Sequence, residues 1–216
     1  MTTQVYLLEV FAAGIEENTY LLKVIPDGGS PYALVVDPGG EAGRILEALE
    51  RLEARPEAIL LTHGHMDHIG AVPALKEAYG IPVIAGAEEA GMLAEPALNM
   101  TARTGAPLSL RADREVRDGE VLTFPEITVR VIGTPGHSKG SVCYYCPEAG
   151  SLFSGDTLFR RSFGRTDLYG GDMAALRSSI LVKLFTLPEE TSVFPGHMEE
   201  TRIGEEKDGN PIYYYR

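Results

Sequence analysis

The sequence predicts a layered α/β domain, with sheets inside and helices outside. Short apolar runs of strand length alternate with amphipathic helical segments in the first half of the chain, and strands and a helix return in the second half. The 216 residues suffice for one domain with a large core, and a hydrophobic content of 44% is ordinary for a globular protein. No linker-like stretch separates the two halves, so we expect a single domain over residues 1–216.

The first half is predicted to alternate strands and helices. Its apolar runs predict strands over residues 5–10, 19–25, 32–36, 58–61 and 81–85. Helices are predicted over residues 41–52, 69–79 and 87–93. The first helix rests on the spacing of Ile45, Leu46 and Leu49, and Gly80 stands where the second should end. Residues 96–118 have weak periodicity, so we expect a long surface excursion there, a class of loop that is often functional.

The second half is predicted to be richer in strands. These fall over residues 121–124, 127–132, 141–146, 151–153 and 191–194. A helix is predicted over residues 173–187, with Asp172 as its N-cap. Cys143 and Cys146 form a Cys-x-x-Cys pattern inside a predicted strand, where residues three apart point to opposite faces and lie roughly 10 Å apart. That separation exceeds what a disulfide tolerates, so we interpret both as packing residues.

Composition and charge disfavour several classes of partner. The formal charge of −12, from 19 basic and 31 acidic residues, argues against a nucleic-acid partner, because phosphate contacts need a basic surface. No uncharged apolar run approaches the roughly 20 residues that cross a bilayer, so no membrane association is expected. The first 22 residues lack a basic residue, which is wrong for a secretory signal and favours a cytoplasmic location. The sequence does not indicate an oligomeric state, and we expect its apolar tail, residues 212–215, to pack on its own domain.

All five histidines of the chain fall into one candidate metal site. Three lie in the run THGHMDH at residues 62–68, and the other two, like Asp156, each follow a glycine after an apolar strand. The candidate ligands are His63, His65, Asp67, His68, His137, Asp156 and His197. Imidazole and carboxylate suit zinc, manganese or iron, and seven groups suit two ions with one shared ligand better than one tetrahedral ion. Strand ends that deliver ligands to one edge of a sheet are a usual way in which α/β folds build sites.

The spacing of these groups suggests how they divide between two ions. His63 and His65, two apart in an extended turn, can chelate one ion, while Asp67 and His68 open the following helix and can serve a second. Asp156 can bridge the ions with its two oxygens. Asp37 also follows a strand, and we interpret it as a turn residue that at most supports the site.

The run at residues 62–68, with Gly136-His137, Gly155-Asp156 and Gly196-His197 in this order, resembles the metallo-β-lactamase superfamily over nearly the whole chain. The resemblance implies an αββα sandwich of four layers with a dinuclear metal site at one edge of the sheets. It implies that His63, His65 and His137 hold one metal ion, that Asp67, His68 and His197 hold the other, and that Asp156 bridges them. The cofactors are then two divalent ions, with zinc expected and iron or manganese as alternatives.

A narrower resemblance is to the glyoxalase II group, the hydroxyacylglutathione hydrolases, in their short bacterial form. It is carried by FSGDTLFRR at residues 153–161, GRTD at residues 164–167, and the tail from Thr201 to Gly204 with Asn210-Pro211. Full-length relatives place a lysine near the position of Arg165 to hold glutathione, so Arg165, with Arg160 and Arg161, becomes the expected substrate-binding set. Those relatives continue into a helical C-terminal domain, whereas this chain ends soon after His197, so we expect that domain to be absent.

The resemblance implies hydrolysis of a small-molecule thioester such as S-lactoylglutathione, through attack by a hydroxide that bridges the two metals. Metal binding lowers the pKa of water toward about 7, and a thiolate leaves without a strong general acid. Asp67 and Asp156 are the expected catalytic carboxylates. The main alternative is a persulfide dioxygenase that uses His63, His137 and Asp156 for a single ferrous iron. We expect β-lactam hydrolysis, nuclease action and a non-catalytic metal-binding role less than either of these.

Overall fold

The computed structural model describes residues 1–215, so that Arg216, the last residue of the predicted domain, lies outside the described part. These residues form two compact units. The first comprises residues 1–85 and 90–115, and the second comprises residues 86–89 and 116 to the end of the described chain. Both contain a mixed six-stranded sheet and helices, which confirms the predicted α/β class. A single domain over residues 1–216 stays a prediction.

The first unit is built on a sheet with strands in chain order. Its strands are β1 (Thr2–Ala12), β2 (Ile15–Ile25), β3 (Tyr32–Val36), β4 (Arg55–Leu61), β5 (Val83–Gly86) and β6 (Arg114–Val116). The first three are antiparallel, whereas β3, β4 and β5 run parallel. β1 and β2 are joined by Ala13 and Gly14, both at positive φ, which is the backbone that a two-residue hairpin turn requires. β1 is longer than the predicted strand at both ends, whereas β2 begins four residues earlier than predicted and ends at Ile25 as predicted.

Helices follow β3, β4 and β5 in this unit. They are α1 (Ala42–Arg51), α2 (Met66–Ile69), α3 (Val72–Tyr79) and α4 (Ala90–Ala94). Ile45 and Leu49 of α1 and Leu75 of α3 pack with alternate sheet residues such as Val35 and Ile59, so one face of the sheet and the inner helix faces form the core. Gly80 takes the left-handed conformation that ends α3, as predicted, but the helix predicted over residues 69–79 is divided into α2 and α3.

The second unit contains a sheet in the order β14-β13-β10-β9-β8-β7. These strands are β7 (Val121–Phe124), β8 (Ile127–Gly133), β9 (Val142–Cys146), β10 (Ser151–Gly155), β13 (Ser192–Pro195) and β14 (Thr201–Arg202). Only β10 and β13 pair in parallel. A small hairpin, β11 (Leu158–Phe159) with β12 (Ser162–Phe163), stands apart from the sheet order and was not predicted from the sequence.

Helical segments complete the second unit. Asp172 caps α5 (Met173–Ser178) as predicted, because its side chain accepts a hydrogen bond from the Ala175 amide. The predicted continuous helix over residues 173–187 is wrong beyond Ser178, where a π-helical turn (Ser179–Lys183) and a 3₁₀ turn (Leu184–Thr186) follow. The chain closes with α6 (Ile203–Gly209) and a 3₁₀ turn (Pro211–Tyr214), which were not predicted.

Three further predictions concern the two cysteines, the apolar tail and membrane-spanning helices. Cys143 and Cys146 are buried and form no disulfide, which confirms the packing interpretation, and burial raises the pKa of Cys146 to about 11. In the tail, Ile212 is fully buried in the core of the second unit, whereas Tyr214 is 87% exposed, so the expected packing holds only in part. Within residues 1–215 no helix is long and apolar enough to span a membrane.

Candidate functional site

The first unit delivers four candidate ligands from one stretch of chain. β4 ends at Leu61, and residues 62–64, which are neither helix nor strand, lead to His65, whose extended backbone is that of an N-cap before α2 begins. The ring centroids of His63 and His65 lie 4.8 Å apart, and those of His63 and His68 lie 4.1 Å apart. Asp67 lies on the same short helix, and its Oδ2 is 3.9 Å from His68 Nε2. All four side chains are buried, so this run does form one cluster.

Asp37 orients two of these histidines. It follows β3, the parallel neighbour of β4, so both strand ends reach the same edge of the sheet. The Thr62 amide donates to Asp37 Oδ1 over 2.7 Å, and Thr62 Oγ1 donates to Oδ2 over 2.5 Å. His68 Nδ1 lies 3.1 Å from the same Oδ2. Asp37 therefore does more than form the expected turn, and it lies within 4.8 Å of ligating atoms of His63 and His68.

These contacts indicate which ring nitrogen each histidine offers to a metal. Because the Thr62 hydroxyl gives its hydrogen to Asp37, it accepts one from His63 Nδ1, which lies 3.1 Å away. His68 Nδ1 in turn donates to the Asp37 carboxylate. A proton on Nδ1 leaves Nε2 as the ligating nitrogen in both rings, the arrangement in which carboxylates commonly support metal-binding histidines.

Glu17 is a buried acid beside this cluster that sequence reasoning missed. It is 0% exposed, its Oε1 lies 3.7 Å from His68 Nδ1, and Thr19 Oγ1 lies 3.0 Å from its Oε2. Burial raises the pKa of Glu17 well above its ordinary value, and the neighbouring Asp37 adds to that rise. The predicted strand began only at residue 19, which left Glu17 in an expected turn, where an acid needs no explanation.

The second unit collects its three candidate ligands from three separate strand ends. His137 follows β8, Asp156 follows β10 and His197 follows β13. These strands point the same way, because β10 and β13 are parallel and β9 runs antiparallel to both β8 and β10. Asp156 Oδ2 lies 3.5 Å from His137 Nε2 and 3.6 Å from His197 Nε2. One carboxylate oxygen thus stands beside two imidazole nitrogens, as a bridging ligand requires.

A main-chain carbonyl orients His137. Its Nδ1 lies 2.8 Å from the Arg165 carbonyl oxygen, which can only accept, so Nδ1 carries the proton and Nε2 faces Asp156. Gly164 makes this close approach possible, because a Cβ there would overlap the carbonyl of Asp156 and come within 3.2 Å of His137 Nδ1. No sequence pattern marks a carbonyl as functional, so this contact could not have been predicted.

The three predicted substrate-binding arginines are exposed and stand in different surroundings. Arg160 and Arg161 form the turn of the β11–β12 hairpin, and the Arg161 amide donates to the buried Glu206 over 2.9 Å. Arg165 binds the Asp167 carboxylate through two nitrogens, over 2.6 and 2.7 Å. This pairing lowers the pKa of Asp167 to about 2. Their role in binding substrate stays a prediction.

Each unit therefore gathers its own share of the predicted ligands. The residues brought together in the first unit are His63, His65, Asp67 and His68, and those in the second are His137, Asp156 and His197. Within the first unit, Asp37, His63 and His68 offer ligand atoms within 4.8 Å of one another, close enough to hold a metal ion. The division of the seven residues between two ions stays a prediction.

Comparison with known proteins gives matches over most of the chain. The family model of the metallo-β-lactamase superfamily matches residues 15–197. A probable metallo-hydrolase, YqgX of Bacillus subtilis, is 41% identical over 200 residues, which is 92% of either chain. The hydroxyacylglutathione hydrolase GloC of Haemophilus influenzae is 36% identical over 183 residues, 83% of this chain and 86% of GloC.

Two solved structures are similar over nearly the full length. The B3 metallo-β-lactamase BLEG-1 has a TM-score of 0.88 at 42% identity, covering 97% of this chain and 99% of its own. TTHA1623, solved in a di-iron-bound form, has a TM-score of 0.80 at 36% identity, covering 96% of this chain and 99% of its own.

Proposed function

The chain belongs to the metallo-β-lactamase superfamily, and on this premise we propose that it hydrolyses thioesters such as S-lactoylglutathione. It is a metal-binding, hydrolase-like enzyme with the α/β fold of that superfamily. One geometric observation supports the proposal most: a single Asp156 oxygen lies beside two histidines that the family pattern assigns to different metals. The likeness to GloC, a hydroxyacylglutathione hydrolase, favours a thioester as the substrate.

We propose that two divalent ions are held by the seven predicted ligands. His63, His65 and His137 would hold one ion, Asp67, His68 and His197 the other, and Asp156 would bridge them. The donor set fits, because the contacts of His63, His68 and His137 use Nδ1 and leave Nε2 as the ligating atom. Zinc is our first choice, and the di-iron-bound TTHA1623 supports iron as an alternative beside manganese.

When bound, such ions lower the pKa of water toward about 7 and so supply a hydroxide at neutral pH. The chain's own groups then have three tasks. Asp67 and Asp156 accept hydrogen bonds from the attacking water and hold it against the thioester carbonyl. Asp37 and the Arg165 carbonyl keep the imidazoles in one orientation. Arg165, with Arg160 and Arg161, offers positive charge to an anionic thiol portion of the substrate.

The departing thiol needs little help from the protein. An ordinary thiol has a pKa near 8.5, so its anion is a good leaving group and no strong general acid is required. This matches a chain whose five histidines are all assigned to metal ligation. Cys146 is no rival nucleophile, since burial raises its pKa to about 11 and keeps it protonated at neutral pH.

One experiment tests this proposal against its rivals. Metal per chain is counted by mass spectrometry, and purified protein is assayed with S-lactoylglutathione, with glutathione persulfide under oxygen, and with a cephalosporin. We expect two metals per chain and thioester cleavage as the dominant activity. One iron per chain with oxygen uptake and no thioester cleavage would establish the persulfide dioxygenase instead. Dominant cephalosporin cleavage would favour β-lactam hydrolysis, which the likeness to BLEG-1 makes the third arm of the assay.

A further inference from the structure

An open cavity of about 500 Å³ lies in the first unit. Four segments surround it: the tip of the β1–β2 hairpin, the turn at Gly39–Gly40, the start of the helices after the histidine run, and residues 101–108. The side chains around it include Phe11, Met66, Pro73, Pro107 and Leu108. None of the described residues that line it is charged, although charged residues make up 23% of the chain. A cavity of this size and lining suits an apolar group of a small ligand.

The floor of this cavity is the backbone that carries two proposed ligands. Met66, which lines it, stands between His65 and Asp67 in the chain and begins α2. Gly39 lies against the Asp67 carbonyl, and Gly70 lies against the Gly39 carbonyl, so closely that a Cβ at either glycine would overlap that oxygen. The cavity is therefore only a few atoms from Asp67, where the reacting carbonyl of a substrate would be held.

One wall of the cavity is fixed by buried polar groups. Asn99 is fully buried, and its Nδ2 donates to the Leu108 carbonyl over 2.9 Å. Thr101 Oγ1 donates to Asn99 Oδ1 over 2.6 Å and accepts from the Leu108 amide over 2.8 Å. The excursion predicted from the sequence is thus held in one conformation, with Thr101 and Leu108 facing the cavity. A wall of this kind is pre-formed rather than induced by a ligand.

We propose that this cavity is the acyl subsite, and that the enzyme selects thioesters whose acyl group is apolar and several carbons long. The inference rests on the proposed thioester hydrolysis, since it places the scissile carbonyl beside Asp67. A methylene moved from water into an apolar site improves binding by about fourfold. The acyl group enters the cavity, while the thiol portion of the substrate lies outside it. Longer apolar acyl groups are therefore cleaved with higher kcat/KM until the cavity is filled.

The test uses glutathione thioesters with straight acyl chains of two to eight carbons. The metal-loaded wild type is compared with Ala106→Asp, which places a charge at an exposed position of the lining, and with Phe11→Ser, which removes an apolar ring that is 64% exposed. Both positions are exposed, so folding and metal content should be retained. Leu7→Ser is the matched control, because Leu7 is 49% exposed on the same strand and lies outside the cavity lining.

In the wild type we expect kcat/KM to rise about fourfold per methylene over the shorter chains and then level off. Ala106→Asp and Phe11→Ser should flatten this rise while leaving the two-carbon thioester within about twofold of wild type, and Leu7→Ser should follow the wild type. A flat wild-type series, or a rise that Ala106→Asp leaves intact, would overturn the acyl subsite.

Binding separates this inference from the proposed reaction. Unreactive S-alkylglutathione thioethers of the same chain lengths are titrated calorimetrically. If no thioester is cleaved but thioether affinity rises with chain length and falls in Ala106→Asp, the cavity is an apolar subsite and the proposed hydrolysis is wrong. If thioesters are cleaved but affinity ignores chain length in every variant, the acyl subsite is wrong and the hydrolysis stands.

Discussion

The two units supply their candidate ligands in opposite ways. In the first unit, four ligands come from one stretch of seven residues, and the side chain of Asp37 orients two of them. In the second unit, three ligands come from three strand ends spread over sixty residues of sequence, from His137 to His197, and a main-chain carbonyl orients one. A local cluster depends on a few side chains and is easily broken by one substitution. A dispersed set depends on correct strand pairing and is broken mainly through the ligands themselves or through folding.

The largest effect is expected for Asp156, where the dispersed set converges. Asp156→Ala removes the carboxylate oxygen that stands beside both His137 and His197. We expect bound metal to fall below the wild-type value and kcat/KM to drop by more than about 100-fold. Loss of a residue that only supports a ligand costs about 10- to 100-fold, and loss of a ligand itself should cost more. Metal analysis and thioester kinetics check this. Asp208→Ala, an exposed acid in the same unit, should match the wild type in both.

The local cluster should be sensitive to Asp37. Asp37→Asn keeps a side chain that tolerates the observed φ of 46° but replaces an accepting oxygen with a donating amide. Thr62 and His68 then lose their common acceptor, and we expect metal affinity to fall by about 10- to 100-fold. Competition with a chelator measures the affinity. Glu47→Gln, on the exposed face of α1, is the control, and equal affinities in the two variants would refute the orienting role of Asp37.

The second unit, whose ligands come from separate strands, should instead be sensitive to buried hydrogen bonds that hold its segments together. Glu206 is buried and accepts hydrogen bonds from the Arg161 amide, Thr201 Oγ1 and Asn210 Nδ2. Glu206→Ala leaves these donors unsatisfied, so we expect a loss of about 2 kcal/mol in unfolding free energy. For a chain of this size that lowers Tm by about 4–8 °C. Calorimetry of this variant and of its exposed neighbour Glu205→Ala checks it; a Tm equal to wild type would show that the network contributes nothing.

Arg165 has two proposed roles that a substitution can distinguish: its side chain binds substrate, and its main-chain carbonyl orients His137. Arg165→Ala removes the guanidinium but keeps the carbonyl that accepts from His137. We expect KM for an anionic thioester to rise about three- to tenfold, with kcat and metal content near wild type. Steady-state kinetics with S-lactoylglutathione tests this. An unchanged KM would remove Arg165 from the substrate site, and a loss of metal would mean that its side chain supports the fold around His137.

The smallest effect is a titration. The pKa of Asp167 is lowered to about 2 by hydrogen bonds from Arg165, so any stabilisation from this pair is fully present above about pH 4 and is lost as pH falls through 2. Both side chains are exposed, so the contribution to folding is slight. Carboxyl NMR should show Asp167 titrating near 2 in the wild type and near its ordinary value in Arg165→Ala. The same midpoint in both proteins would show that the pair does not form in solution.

The difference between the units also decides what could be predicted from sequence. The run at residues 62–68 is dense enough to be interpreted by itself, and its members do cluster. The other three ligands could be assigned because each follows a glycine at a strand end, where glycine permits a tight turn and a close approach of the backbone; they are His137, Asp156 and His197. The role of the Arg165 carbonyl could not be predicted, because every residue has a main-chain carbonyl and the sequence does not show which one accepts a hydrogen bond from a ligand.

Other failures also have physical reasons. The β11–β12 hairpin has strands of two residues and a turn made by Arg160 and Arg161, without the glycine or asparagine that normally marks such a turn. The helix after Asp172 has the right apolar spacing for a continuous helix, yet packing of Leu176, Ile180 and Leu184 in the core accompanies a change to π-helical and 3₁₀ turns. Such changes depend on tertiary contacts, which periodicity does not contain.

The carbonyl of Arg165 has a consequence for how the protein can evolve. Because the group that fixes His137 belongs to the main chain, it is retained whatever side chain residue 165 carries. Selection can therefore vary that side chain to suit a new substrate without a penalty in metal chemistry. Position 164 carries the opposite constraint, since anything larger than glycine overlaps the Asp156 carbonyl. Two neighbouring residues therefore differ in what they tolerate: residue 165 can carry many side chains, whereas residue 164 must stay glycine. A directed-evolution library should randomise residue 165 and leave residue 164 fixed.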